Sequence, residues 1–200
     1  PLYFRMPSTQ LYAVGTAIKF LEILKPQKID FFLMGGSLLG AVRQGGFAGT
    51  PQDIDFGIKV EELPKLLDAI PLLKKSGARF IRVRPYNKLE RLQILFSCVL
   101  VDIGIYRKQK KKGKVMWTNF GGERKNDYLI HSQERHLPQN ENLTKNRFAI
   151  SLDHLIPIEV YGRMFMAPPN PEVYLKKKYG KNWRTPDKKQ FFWNKSEFKK

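Results

Sequence analysis

GGSLLGAVRQGGFAGTPQDID, residues 35–55, decides how this chain is read. An apolar run, Phe31-Phe32-Leu33-Met34, precedes it and predicts a buried strand. Two glycines and a serine follow, then a short helical pattern closed by Gly45-Gly46, then Asp53-Ile54-Asp55. Aspartates at i and i+2 of a strand point to one face. Carboxylates held that close repel each other unless a cation lies between them. A lone D-x-D is more often two exposed aspartates on a polar strand face. The strand–Gly-Gly-Ser–helix unit in front of this pair turns the reading toward a Mg²⁺ site that handles phosphate.

Working outward, the 200 residues suit one domain, and 42% hydrophobic residues are enough for a core. With 36 Lys+Arg against 18 Asp+Glu, the net charge of +18 calls for anionic partners: nucleotides, nucleic acid, polyanionic polymers or an anionic membrane surface. A single cysteine, Cys98, rules out a disulfide framework and a thiolate zinc cluster. It lies in the apolar run 94–101 and is expected to be a small buried hydrophobe. No run of 18 apolar residues is present, so no helical membrane span is expected. No signal peptide is visible. Pro1 in place of an initiator methionine admits a longer parent protein, with an anchor or further transferase domains attached.

The periodicity predicts an α+β fold, a mixed sheet flanked by helices with an irregular C-terminal part. A helix is expected to start at Ser8 or Thr9 and stop before Pro26. Strand one is read over 29–34, a short helix over 37–44, and strand two over 54–60, with the aspartate pair at its charged start. Residues 61–75 read as one amphipathic helix, acidic at its start and basic at its end, as the helix dipole favours. Strands are expected over 79–84, 91–96 and 99–106, and the basic stretch 107–114 as a hairpin turn before a strand over 115–120. Residues 121–157 read as loop with short helices. A small hairpin across Gly162 and a helix over 171–179, with Pro171 at its first position and Gly180 as its stop, complete the core.

The order strand–Gly-Gly-Ser–helix–strand with D-x-D, followed by a later strand with another aspartate, is the nucleotidyltransferase pattern. Asp102, in Val99-Leu100-Val101-Asp102-Ile103, is the natural third carboxylate. Gly35 and Gly36 would let backbone N–H groups approach phosphate oxygens. Ser37 would donate to the same phosphate and open a helix whose N-terminus favours anions. Asp53, Asp55 and Asp102 would hold one or two Mg²⁺ ions, or Mn²⁺, with Asp102 alternatively taking the proton of an acceptor hydroxyl. Arg43 is weighed as a phosphate clamp against a structural salt bridge. Phe47 more simply pins a loop than stacks a base. Of the lysines at 176–178, Lys176 is taken as the donor-binding candidate, although the helix dipole alone favours lysines there. His131, His136 and His154 lack the spacing of a metal motif.

The stretch GGSLLGAVRQGGF, with its spacing to Asp53-Ile54-Asp55, resembles the LicD/fukutin-type phosphotransferases. Asp102 in its V-D-I context fits as well, and so does the ending Tyr174-Leu175-Lys176, Tyr179-Gly180, Trp183, Thr185-Pro186. The resemblance covers about residues 8–187 and leaves 188–200 as a basic, aromatic tail. One departure is Pro51-Gln52, where relatives often carry further aspartates. The resemblance implies a single catalytic domain that moves a substituted phosphate (phosphocholine, ribitol phosphate, glycerol phosphate or similar) from a CDP-activated donor to a glycan hydroxyl. CMP is released, in capsule, teichoic acid, lipopolysaccharide or related synthesis, in the cytoplasm or peripherally at the inner face of the membrane. Two rivals remain at this stage. One is a nucleotidyltransferase acting on RNA or a small molecule, which the basic charge keeps open, although no RNP, KH or basic-helix pattern accompanies it. The other is an inactive homologue that binds anionic glycan.

Overall fold

Helix α1, Pro7–Leu24, presents Ala13, Ala17, Phe20 and Leu24 on one stripe, and all four are buried. Pro26 sits in the 3-10 turn that follows, Lys25–Gln27. The computed structural model describes residues 7–48, 53–84, 91–111, 114–118 and 149–186. Among these, α1 is followed by β1 (Phe32–Leu33), α2 (Gly35–Gln44), β2 (Asp53–Lys59), α3 (Leu63–Asp68) and α4 (Ile70–Lys75). Then come β3 (Phe80–Arg84), β4 (Arg91–Phe96), β5 (Val99–Lys111), β6 (Lys114–Thr118), β7 (Ile156–Val160), β8 (Arg163–Ala167) and α5 (Pro171–Tyr179).

The expected α+β class with a mixed sheet is what the chain adopts. The main sheet runs β1-β2-β5-β4-β3, with β6 added to β5. Strands β2 and β5 are parallel, and every other pair is antiparallel. The sheet's two faces differ in chemistry. Ile54, Phe56 and Ile58 of β2, Val101, Ile103 and Ile105 of β5, and Leu92, Ile94 and Phe96 of β4 are all buried. Phe20 of α1 stacks on Phe56 at 6.3 Å and meets Phe96 edge-on at 6.0 Å. Alternation then sends Asp53, Asp55, Asp102, Gln93 and Arg91 to the opposite face.

Several boundaries differ from those predicted, each for a local reason. Strand one shrinks to two residues because Met34 is already the extended N-cap of α2. The helix expected over 61–75 is a 3-10 turn followed by two short helices that meet at Ala69. Pro71 lacks the N–H that would continue the first of them. The basic stretch expected as a turn is strand: β5 runs on to Lys111 and pairs with β6. Cys98 is exposed rather than buried. It forms, with Ser97, a two-residue turn between β4 and β5 in which both residues have positive φ, 48° and 64°. Tight antiparallel hairpins demand that backbone, and it leaves the thiol outside the core. Residues 112–113, 119–148, with His131 and His136, and 187–200 lie outside the described residues. His154 is exposed. Among the described residues no helix is long and apolar enough to cross a membrane.

Candidate metal centre

Register assembles the centre. In the parallel β2–β5 pair, Asp55 lies opposite Asp102. Asp53, two residues earlier on β2, shares their face. One carboxylate oxygen from each of the three lies within 4.8 Å of the others. The sequence thus named three side chains that the structure brings together. Asp53 is exposed at the rim, Asp55 is half-buried and Asp102 is buried.

Asp55 is fixed by the start of α2. Its Oδ2 accepts the Gly36 N–H at 2.6 Å and the Ser37 N–H at 3.4 Å, and the Ser37 hydroxyl accepts the Asp55 N–H at 2.9 Å. The helix N-terminus favours this charge, as it would any anion there. The Gly36 and Ser37 N–H groups, expected to approach phosphate, are directed at the Asp55 carboxylate in this structure. Gly35 makes room for it. Its φ is +53°, and a Cβ at this position would stand 2.3 Å from Asp55 Oδ2. Gly40 serves the same motif by close approach, because a Cβ there would meet the backbone of residues 46–48 at 2.2–2.4 Å. That contact draws the loop against α2. Phe47, 1% exposed, pins it against Phe165 at 6.4 Å, the structural role expected for it.

Asp102 is held from β4. Arg91 Nε lies 2.9 Å from its Oδ1, and Gln93 Nε2 donates to its Oδ2 at 3.2 Å. Neither partner was picked out from the sequence. The available signal was their alternation with Leu92, Ile94 and Phe96, which puts them on the polar face. Only the β4–β5 register, with Gln93 opposite Asp102, turns that into a contact.

Charge at the centre is not balanced by these contacts. Carboxylate oxygens 4.8 Å apart repel by about 3 kcal/mol per pair at an effective dielectric of about 20, against about 6 kcal/mol of attraction for the Arg91 contact. Arg91 also attracts Asp55 and Asp53, but one guanidinium beside three carboxylates leaves the centre with surplus negative charge. Asp53 shows the consequence. Although the residue lies at the exposed rim, desolvation of its inward-lying carboxyl first, then the Asp55 and Asp102 charges, push that carboxyl up to about 7, with Arg91 pulling the other way. Hard oxygen donors carrying surplus negative charge suit Mg²⁺ or Mn²⁺, so the side chains present fit a divalent cation.

Helix α5 carries three lysines in its last turn. Lys176, the lysine singled out from the sequence, is exposed. Lys178 is half-buried, and its ammonium lies 5.7 Å from the Tyr174 ring centre and 5.6 Å from that of Tyr179. Burial opposes its charge, but Tyr174, Tyr179 and Asp55 together raise its proton affinity above the usual range, and it hydrogen-bonds Tyr174. Arg43, near the end of α2, makes no ion pair with an aspartate among the described residues. Its Nη2 donates to Gln44 at 3.4 Å, and its Nε is buried without a partner. Burial lowers its pKa, with Tyr179 acting in the opposite sense. Burial first, then Tyr174, Asp55 and Asp53, push the Tyr179 hydroxyl above its usual range, with Lys178 pulling the other way.

Residues 28–96 match the family described as LicD/FKTN/FKRP, nucleotidyltransferase domain. The match spans β1 to β4, including the glycine motif, Asp53, Asp55, Arg91 and Gln93. Two uncharacterized rickettsial proteins are similar as well. One, from Rickettsia prowazekii (strain Madrid E), is 30% identical over 98 residues, 49% of this chain and 34% of that protein. The other, from Rickettsia typhi (strain ATCC VR-144 / Wilmington), is 30% identical over 91 residues, 46% of this chain and 27% of that protein. The chain therefore aligns with about a third of the length of these relatives.

Proposed function

We propose, for a chain whose residues 28–96 match the LicD/FKTN/FKRP family, that it is a Mg²⁺-dependent transferase of nucleotidyltransferase fold. That match points to transferase chemistry. The finer reading is transfer of a substituted phosphate, such as phosphocholine, ribitol phosphate or glycerol phosphate, from a CDP-activated donor to a glycan hydroxyl, with release of CMP. It sets the protein in cell-surface polysaccharide or glycoconjugate synthesis, where a chain of net charge +18 meets anionic polymers and lipid headgroups. The observation that carries this reading is the convergence of Asp53, Asp55 and Asp102 beside the N-terminus of α2.

In this mechanism Asp53, Asp55 and Asp102 hold the divalent cation. When bound, the metal neutralises charge on the phosphate oxygens during in-line displacement. The chain's own residues set the geometry. Gly36 and Ser37 hold Asp55 through their N–H groups, and Arg91 and Gln93 hold Asp102. Arg43 offers its guanidinium to the donor's phosphates. Asp102, buried and engaged through both oxygens, is a positioned ligand. Asp53, the accessible one of the three, is better placed to receive the acceptor hydroxyl's proton.

Calorimetric titration of CDP, CMP, ATP and GTP, each with and without Mg²⁺, tests the proposal. The proteins compared are the unaltered chain and the Asp53→Asn/Asp55→Asn variant. Cytidine-selective binding that needs both Mg²⁺ and the aspartates is expected, followed by CMP release from a CDP-alditol or CDP-choline. A preference for ATP or GTP would replace this reading with nucleotidyl transfer, and no nucleotide binding at all would leave an anion-binding homologue.

A further inference from the structure

Strand β5 outlasts the sheet around it. Its pairing with β2 ends at Tyr106, opposite Lys59, and its pairing with β4 reaches only to Gly104. From Arg107 to Lys111, among the described residues, it pairs with β6 alone, and the register ends at Lys111 opposite Lys114. This two-stranded arm carries Arg107, Lys108, Lys110, Lys111 and Lys114, and no acidic residue. Lysines occur on strand edges simply to deter pairing with another chain, but that use needs no fixed position for them. Here the root of the arm is built. Trp117 is 4% exposed and exchanges backbone hydrogen bonds with Ile150 at 2.7 and 2.9 Å. Two ammonium groups meet its ring: Lys59, from the end of β2, at 5.3 Å from the ring centre, and Lys108, opposite it on β5, at 5.1 Å. Attraction to the ring holds both cations in place without neutralising them. Lys108 also pairs with Glu61 at 3.3 Å. Both side chains of that pair are exposed, so it is worth little and yields readily to another anion.

We infer that the β5–β6 arm, from its root at Lys59, Lys108 and Trp117 out to Lys114, is a docking surface for an anionic polymer of phosphodiester-linked polyol or sugar units. The surface itself is independent of the carboxylates; that the polymer is a transfer acceptor rests on the proposed function. Polyanionic partners differ in what they need besides charge. Single-stranded nucleic acid is gripped by exposed aromatic rings on which its bases stack, whereas Trp117 is buried with two lysines over its ring. A bilayer surface takes a broad apolar face alongside the basic one, whereas Val115 is the arm's one exposed large hydrophobic among the described residues. A phosphodiester polymer needs only a row of cations, because each neutralised phosphate releases a counterion. Arg107 to Lys111 spread over about 13 Å of strand, which makes a row rather than a pocket for one anion.

Binding of poly(glycerol phosphate), of single-stranded RNA and of phosphatidylglycerol–phosphatidylcholine vesicles, measured over a series of salt concentrations, tests this. The proteins are the unaltered chain, an arm variant (Lys110→Gln/Lys111→Gln/Lys114→Gln) and a root variant (Lys59→Gln/Lys108→Gln). A control, Lys25→Gln/Lys74→Gln/Lys75→Gln, loses the same charge as the arm variant at exposed positions elsewhere. The unaltered chain should bind poly(glycerol phosphate) the most tightly of the three probes. The arm variant should bind it about 10- to 100-fold more weakly at low salt, with a salt slope shallower by about 2, the counterions of three phosphate contacts. The root variant should weaken in the same sense, and the control should keep nearly all of its affinity. Equal losses in arm variant and control would overturn the inference, because net charge alone would then act. So would the absence of polymer binding by the unaltered chain, or tighter, arm-dependent binding of RNA or vesicles. Mg²⁺-dependent CDP binding by the arm variant should match that of the unaltered chain, so any of these failures leaves the proposed function standing. Arm-dependent polymer binding by a chain that binds no nucleotide would instead remove the acceptor role and the proposed function, and keep the surface.

Discussion

Gly35→Ala is the sharpest perturbation of the centre, because it adds one methyl group where Asp55 already stands. The added Cβ would lie 2.3 Å from Asp55 Oδ2 and 2.6 Å from its Cγ, so the carboxylate must move away. Moving it gives up the 2.6 Å bond from the Gly36 N–H. A hydrogen bond to a charged group contributes about 1.5–3 kcal/mol. The φ of +53° adds about 1–2 kcal/mol for any L-residue. The two effects together predict a loss of about 3–5 kcal/mol in unfolding free energy, a large fraction of what a domain this size possesses. Gly45→Ala is the matched control. Its φ is +63°, yet nothing lies within 4 Å of the added carbon, so it should lose only the backbone part, about 1–2 kcal/mol.

Urea unfolding of both variants in the presence of a chelator measures the difference, and calorimetric titration with Mg²⁺ reads the site. Gly35→Ala should be the less stable of the two and should bind Mg²⁺ weakly or not at all, whereas Gly45→Ala should bind it normally. Equal stability losses with intact Mg²⁺ binding in both would refute the reasoning. Gly35 would then be required only for its backbone angle, and the contact with Asp55 would carry no weight.

Protonation of Asp53 predicts an unusual pH dependence. Its carboxyl is raised from 3.8 to about 7 in the folded chain. Between those values the folded state binds more protons than the unfolded one, so stability without metal should fall as pH rises through the window. Mg²⁺ affinity should rise over the same range, because the metal needs the ionised form. Urea midpoints in chelator at about pH 5 and about pH 8 check this, and Asp53→Asn should flatten the trend; an equal slope in that variant would assign the proton elsewhere. Gln93→Leu removes the 3.2 Å bond to Asp102 while keeping similar bulk. It should cost about 1 kcal/mol and weaken Mg²⁺ binding by loosening the ligand; unchanged Mg²⁺ affinity would mean that Arg91 alone positions Asp102.

What could be read from the sequence, and what could not, divides along the range of the interactions. Helix α5 was legible because both of its ends are marked locally, by Pro171 and Gly180. The two aspartates of β2 were legible because period-2 alternation is a local rule. The break at Ala69 was also locally encoded in Pro71, and the amphipathic pattern of 61–75 obscured it. Cys98 was misread for a different reason. The strands expected over 91–96 and 99–106 already left Ser97-Cys98 between them, but the apolar neighbours assigned the thiol to the core; with neither Asn nor Gly at the turn, the positive φ of Ser97 and Cys98 that turns it outward had no sequence signature. Arg91, Gln93 and Lys178 needed knowledge of which element lies against which. The glycine motif was recognised correctly as a feature, but its partner, the Asp55 carboxylate, lies 18 to 20 residues further along the chain.

The meeting of Asp55 with Asp102 depends most of all on register, and register here is decided by the core. If β5 slipped by one residue against β2, Asp102 would turn toward α1, and Val101 or Ile103 would take its place on the polar face. Such a slip would bury a carboxylate among Phe20, Phe56 and Phe96 at a cost of several kcal/mol, and would expose aliphatic side chains that are now fully buried. Nine apolar residues on three strands, alternating in phase, therefore hold the alignment that brings three like charges to one point. Nothing in the charges themselves would choose that arrangement, since they repel. The packing of one face of the sheet imposes it on the other, and what the apolar face contributes in stability maintains a site whose carboxylates, without a cation, work against it.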